Sequence, residues 1–132
     1  MQFNRIPLVP AAILKAHRVN EPGDTRFKAA ARFLQSLWRD EKGLPIGTHR
    51  SPKGKRRKMG SRLDAESAKQ GGNFLSPDIA KLALRESVYR EIGAVIEQER
   101  LWTNMLSSQP LCFNLFGWMK LDAEKANQFF RH

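Results

Sequence analysis

Seven cations crowd a stretch of 13 residues: Arg50, Lys53, Lys55, Arg56, Arg57, Lys58 and Arg62, with no acid among them. Ser51, Pro52, Gly54 and Gly60 interrupt the run and keep it pliable. Mobile cations of this kind contact backbone phosphates and draw their affinity from counterion release. Such contacts position a protein on nucleic acid without reading its sequence. No aromatic residue is interleaved, so base stacking is not the expected mode. Two other readings compete: a solvated, self-repelling loop, or a surface for an acidic protein or lipid. His49 borders the run and reads as a loop residue rather than a ligand. Nucleic acid, DNA before RNA, is the expected partner.

A second stretch is specified in another way. From Arg100 to Gly117 the chain runs Arg-Leu-Trp-Thr-Asn-Met-Leu-Ser-Ser-Gln-Pro-Leu-Cys-Phe-Asn-Leu-Phe-Gly. It is apolar enough for a core, yet it carries Asn104, Ser107, Ser108, Gln109 and Asn114. A buried amide without a partner costs about 1–3 kcal/mol, so these groups need assigned partners. Gln109 and Asn114 either bond backbone exposed where a helix breaks at Pro110, or face a nucleic-acid groove or a core missing from this chain. Cys112 is the only cysteine, which rules out an intrachain disulfide; it is expected to be a buried structural thiol.

Complete catalytic sets are missing. His17, His49 and His132 lie in no nucleophile context, no thiol–imidazole cluster suits zinc, and the glycines between 54 and 60 lack the Lys-Ser/Thr of a phosphate loop. A metal-dependent nuclease needs two acids and a lysine around a divalent ion. Asp24 with Asp40-Glu41-Lys42 satisfies that pattern on paper. One helix separates them by about 24 Å of rise, so they cannot share an ion. Neither catalytic nor metal-binding residues are assigned.

The chain has 132 residues, 41% of them apolar, with a net charge of +10 and pI near 10.4. That length suits one domain, and such a field concentrates polyanions. No apolar run reaches the roughly 20 residues of a membrane helix, and the segment from Met1 to Leu14 is too broken by proline for a signal peptide. A reducing cytoplasm is expected.

The elements that position these residues read as mainly α. A short helix over 11–19 turns Ile13 and Leu14 inward. Asp24 caps a helix from Thr25 to Glu41, with Phe27, Ala30, Ala31, Leu34, Leu37 and Trp38 inward and Arg26, Lys28, Arg32 and Arg39 outward. Residues 44–72 form a long basic Gly/Pro-containing loop, broken by a short helix near 63–69. Ser76-Pro77-Asp78 starts a helix reaching about Leu106, with a break near Gly93, and Pro110 ends it. Cys112 to Trp118 fits strand or helix, and Asp122 caps a last helix. Trp38, Trp102 and Trp118 are anchors in or near the core. Phe129 and Phe130 either dock or signal that the chain continues past His132, and continuation is the expectation.

Gly60-Ser61, Asn73-Phe74-Leu75, Arg100-Leu101, Asn104 and, above all, Ser107 to Gly117 resemble a bacterial branch of the PD-(D/E)XK nuclease-like superfamily, over Trp38 to the end. The resemblance implies the helical N-terminal part of a larger α/β nuclease, ahead of the strands that bear its acids and lysine. It also implies a divalent metal such as Mg for the full-length enzyme, none in this chain, and a downstream catalytic core as partner. No role for Arg100, Asn104, Ser107, Ser108, Gln109 or Asn114 comes with it. The alternatives are a stand-alone basic DNA-binding or regulatory module, and a protein-interaction module.

Overall fold

A computed structural model describes residues 5–131; His132 and the first four residues lie outside them. Helix dominates, and the chain forms two compact units, Met1–Ala65 and Glu66–His132.

In the first unit, α1 (Ala11–Ala16) follows Pro10 and buries Leu14, while Ile13 stays exposed. α2 (Arg26–Glu41) is capped by Thr25, whose hydroxyl accepts from the Lys28 amide at 3.2 Å. Asp24, the expected cap, instead receives Arg32 Nε at 2.6 Å. The buried face of α2 is Ala30, Ser36 and Arg39; Phe27, Leu34 and Leu37 are exposed. Ala30 lies inward and Arg26 and Lys28 outward as expected, while Phe27, Leu34 and Leu37 exchange places with Arg32 and Arg39. Small residues let β2 approach, and Arg32 and Arg39 grip its backbone and side chains, so two cations that look solvated in the sequence belong to the packed face.

The expected loop over 44–72 is chiefly a β-hairpin. β1 (Ile46–Arg50) pairs antiparallel with β2 (Arg56–Leu63). Ile46 lies opposite Leu63 and Gly47 opposite Met59, so β2 bulges over Gly60, Ser61 and Arg62. A Cβ on Gly47 would sit 2.0 Å from the Leu63 carbonyl oxygen, and one on Gly60 2.1 Å from that of His17. The bulge is held from both sides: the Gly60 amide donates to Arg18 O at 3.0 Å, and Gly60 O accepts from Arg39 Nε at 3.0 Å. Arg39, buried, also donates to Leu44 O at 2.6 Å and to Asp40 at 2.5 Å.

The second unit is helical. α3 (Ala65–Lys69) begins at the boundary, where a short helix is expected. α4 (Pro77–Val88) starts at the Ser76 cap, whose hydroxyl accepts from the Ile79 amide. It stops at Val88, well short of Leu106: a turn with Gly93 at φ +89° follows, then α5 (Gln98–Trp102). Pro110 opens a helix rather than closing one. α6 (Ser108–Leu121) is capped by Ser107, and in the first turn a proline sacrifices no helical hydrogen bond. Asp122 caps α7 (Ala123–Phe130) as expected.

Phe74, Ile79, Ala83 and Leu101 form the core, with Ile96, Trp102 and Phe113 against it. The Phe74 ring meets Trp102 edge-on at 5.1 Å. Gly117 lets α6 lie close on α4, where an added Cβ would be 3.3 Å from Leu82 Cδ2. Phe129 docks edge-on against Trp118, yet both terminal rings remain largely exposed.

Glu86 on α4 accepts from Lys120 Nζ on α6 at 2.5 Å. That hydrogen bond, more than the charges of Lys120 and Arg85, holds the Glu86 carboxyl below its ordinary range. A carboxyl lowered by folding stabilises the fold above its unfolded pKa of about 4.3, and the contribution fades as pH falls through the folded value. Melting temperatures measured from pH 6 down to pH 3 should therefore fall less steeply at the acid end in Lys120→Met than in the parent.

Candidate nucleic-acid interface

The hairpin turn is built by its own sequence. Ser51 O accepts from the Gly54 amide at 2.9 Å, the Ser51 amide donates to Lys55 O at 2.9 Å, and Gly54 takes φ +80°. This is a type I turn closed by a left-handed glycine, with Pro52 at the position that favours its fixed φ. The register then sorts the cations, because directly opposed residues share a face. Arg50 opposes Arg56 and Thr48 opposes Lys58 on one face; His49 opposes Arg57 and Gly47 opposes Met59 on the other.

Met59 is buried, so the second face turns inward there. Arg57 on that face pairs with Glu21. Arg50, Arg56 and Lys58 stand on the outer face, and Lys53 and Lys55 extend them around the exposed turn. Among the described residues no carboxylate pairs with these five. Arg62 is only 8% exposed within the bulge and does not belong to the surface cluster. His49 is half-buried beside the cluster.

The outer face is not a mere sampling of a basic protein. Residues 1–65 hold 15 Lys and Arg against five Asp and Glu, whereas residues 66–132 hold eight of each. The whole excess of positive charge belongs to the hairpin's unit. Like charges directly opposed, as Arg50 and Arg56 are, destabilise an isolated strand pair. An anion laid across them reverses that sign.

The amide-rich stretch has a different job. Asn114 Nδ2 donates to Asn73 O at 3.0 Å and its Oδ1 accepts from the Leu75 amide at 2.9 Å. Buried Asn73 in turn donates to Leu101 O at 2.8 Å. Gln109 Oε1 accepts from the Glu97 amide at 3.2 Å, satisfying an open donor at the start of α5. Asn104 Oδ1 accepts from the Leu106 amide, and Ser107 caps α6. Arg100 lies 3.7 Å from Glu97 in an exposed pair, and Ser108 is exposed. Of the two readings of Gln109 and Asn114, this geometry is the backbone-bonding one, although the backbone lies in other segments as well as beside Pro110. Asn114→Ala removes two hydrogen bonds, each contributing about 0.5–1.5 kcal/mol, and should cost about 1–3 kcal/mol in denaturant unfolding. Asn114→Asp, which keeps only the acceptor, should not restore it.

The acids do not assemble. Asp24 is engaged by Arg32 and Lys28, and Asp40 by Arg39 and by His17 at 3.7 Å. No three of the described His, Cys, Asp and Glu residues are grouped to hold a metal ion. Cys112 is exposed on α6, against the expectation of a buried thiol. The outward half of α6 is uncovered, and the cysteine falls on it. No helix of the described residues is long and apolar enough to cross a membrane.

Comparison with known proteins agrees with the nuclease-like pattern. A family model described as the PD-(D/E)XK nuclease superfamily matches residues 22–132. No curated protein and no solved structure gives a significant match.

Proposed function

We propose, since this chain belongs to the PD-(D/E)XK nuclease superfamily, that its basic hairpin holds DNA by the phosphate backbone for a catalytic core that carries the acids and lysine. One observation supports this above the rest: Arg50, Arg56 and Lys58 share an outer strand face, Lys53 and Lys55 flank it, and no described carboxylate neutralises them. A self-repelling loop would scatter those charges. A turn closed by Gly54 and a bulge gripped by Arg39 instead fix the ribbon before any ligand arrives, so less ordering entropy opposes binding. Residues two apart on a strand are about 6.7 Å apart, which lets Arg56 and Lys58 take separate phosphates.

The chain's own acids take no part in cleavage on this reading; of the candidates for a metal-holding set, Asp24 is held by Arg32 and Asp40 by Arg39. Fluorescence anisotropy with a labelled DNA duplex, repeated from 50 to 300 mM salt, tests the binding. Affinity should fall steeply with salt, and a flat response overturns the proposal. The same duplex incubated with magnesium or manganese tests the division of labour. Cutting that disappears when one of this chain's carboxylates is replaced would end it.

A further inference from the structure

From Ser108 to Met119, α6 carries no charged residue on any side. Apart from Ser108, Gln109 and Asn114 those residues are apolar or weakly polar, and a helix apolar on most of its circumference is usually buried on more than one side. Here only one side is covered: Pro110 and Gly117 are buried, Phe113 packs against the core, and Leu111, Cys112, Leu115 and Phe116 face outward. Leu111, Leu115 and Trp118 make one row at spacings of four and three, and Cys112, Phe116 and Met119 make a second beside it. Two such rows form the seam along which helices pair.

The patch extends past the helix on both flanks. Tyr89, 79% exposed, shares a groove of about 470 Å³ with Cys112 and Phe116, and Glu86, Arg90, Glu91 and Lys120 give that groove charged walls. On the other flank Phe129 rests on Trp118, and Phe130 on Phe129. An aromatic side chain offers about 150–250 Å² for burial, so Tyr89, Phe116, Phe129 and Phe130 together leave roughly 500 Å² bare. Leu111 and Leu115 carry the patch toward the roughly 800 Å² that each partner gives to a stable interface. A typical monomer's largest apolar patch is about 300–600 Å².

We infer that this face is covered by the same face of a second copy of the chain. Charge permits that occupant. The unit bearing α6 holds eight cations and eight anions, so two copies of it meet without net repulsion. The surplus of ten on residues 1–65 would oppose pairing through the other unit. A twofold interface is self-complementary, and a neutral helix with two parallel apolar rows satisfies that condition when laid antiparallel on itself.

The full chain tests this by sedimentation velocity from 1 to 200 μM. The expected result is a dimer of twice the monomer mass. Leu115→Glu and Phe116→Glu change side chains already exposed in one copy, so each should give the monomer mass with an unchanged far-ultraviolet spectrum. Alkylation of Cys112 by iodoacetamide provides a local readout. Its rate should fall several-fold as the parent protein is concentrated, and should not depend on concentration in Phe116→Glu. A parent chain that is monomeric at 200 μM overturns the inference. So does association that survives both substitutions, which would place the contact elsewhere or give it to non-specific aggregation.

Discussion

Replacing Arg50, Lys55, Arg56 and Lys58 together by alanine should lower affinity for duplex DNA about 100- to 1000-fold near 0.1 M salt. The size follows from counterion release. Each phosphate neutralised on a duplex contributes about 0.9 to the slope of log affinity against log salt. Four lost contacts therefore flatten the slope by about 3.6, and the discrimination between variant and parent shrinks as salt rises. The structure supplies the control. Arg57 lies within the same run of basic residues but on the inner face, paired with Glu21, so Arg57→Ala should leave the slope nearly unchanged. Buried Arg62 should act through stability rather than through the slope. A slope equal in the fourfold variant and the parent would remove the hairpin from the interface.

Arg39→Ala should be the most damaging single change to the hairpin's own unit. The guanidinium makes three hydrogen bonds from a buried position, two of them to the carbonyls of Gly60 and Leu44. Hydrogen bonds from charged donors contribute about 1.5–3 kcal/mol each, and a truncation also strands the carbonyls. A loss of about 3–5 kcal/mol is expected, close to that of breaking a buried ion pair. Amide hydrogen exchange at Met59 and Gly60 is the direct measure, and both should accelerate sharply. Arg39→Lys should recover little, since an ammonium on a flexible stem cannot span the same three acceptors as a planar fork. Exchange at β2 within a factor of three of the parent would show that the bulge holds without this grip.

Local signals were legible at two helix starts written in adjacent residues, and one residue off at Asp24, where Thr25 is the cap. Ser76-Pro77-Asp78 and Asp122 cap the helices expected of them, and the last helix runs within a residue of its expected span. Signals that depend on apolar periodicity misled where charges had structural duties. The strands of the hairpin alternate faces, but their outer positions are Thr48, Arg50, Arg56 and Lys58 and their inner ones include His49 and Arg57. No contrast of apolar and polar residues marks that alternation, so the run reads as a loop. Yet Ser51-Pro52-Lys53-Gly54 is a hairpin turn in its residue types alone, and was the signal available. On α2, a stripe of leucines and phenylalanine outweighs Ser36 and Arg39 in any hydropathy count, although the latter two are buried and Arg39 bonds the bulge. Pro110 is ambiguous by nature: the residue that breaks a helix interior is welcome in a first turn. The positions of the surface cations could be read from the sequence; the exclusion of Arg57 and Arg62 needed the register.

The side chain of Asn114 reaches 39 residues back to a backbone amide on a residue that is itself exposed. Leu75 N–H is therefore shielded from solvent exchange by one carboxamide rather than by burial or by a helical ladder. Its isotope exchange clocks the detachment of α6 from the 73–75 segment, and does so apart from the global unfolding that governs helix-interior amides. During synthesis the same amide stays unprotected until residue 114 has emerged, so the segment it belongs to settles late.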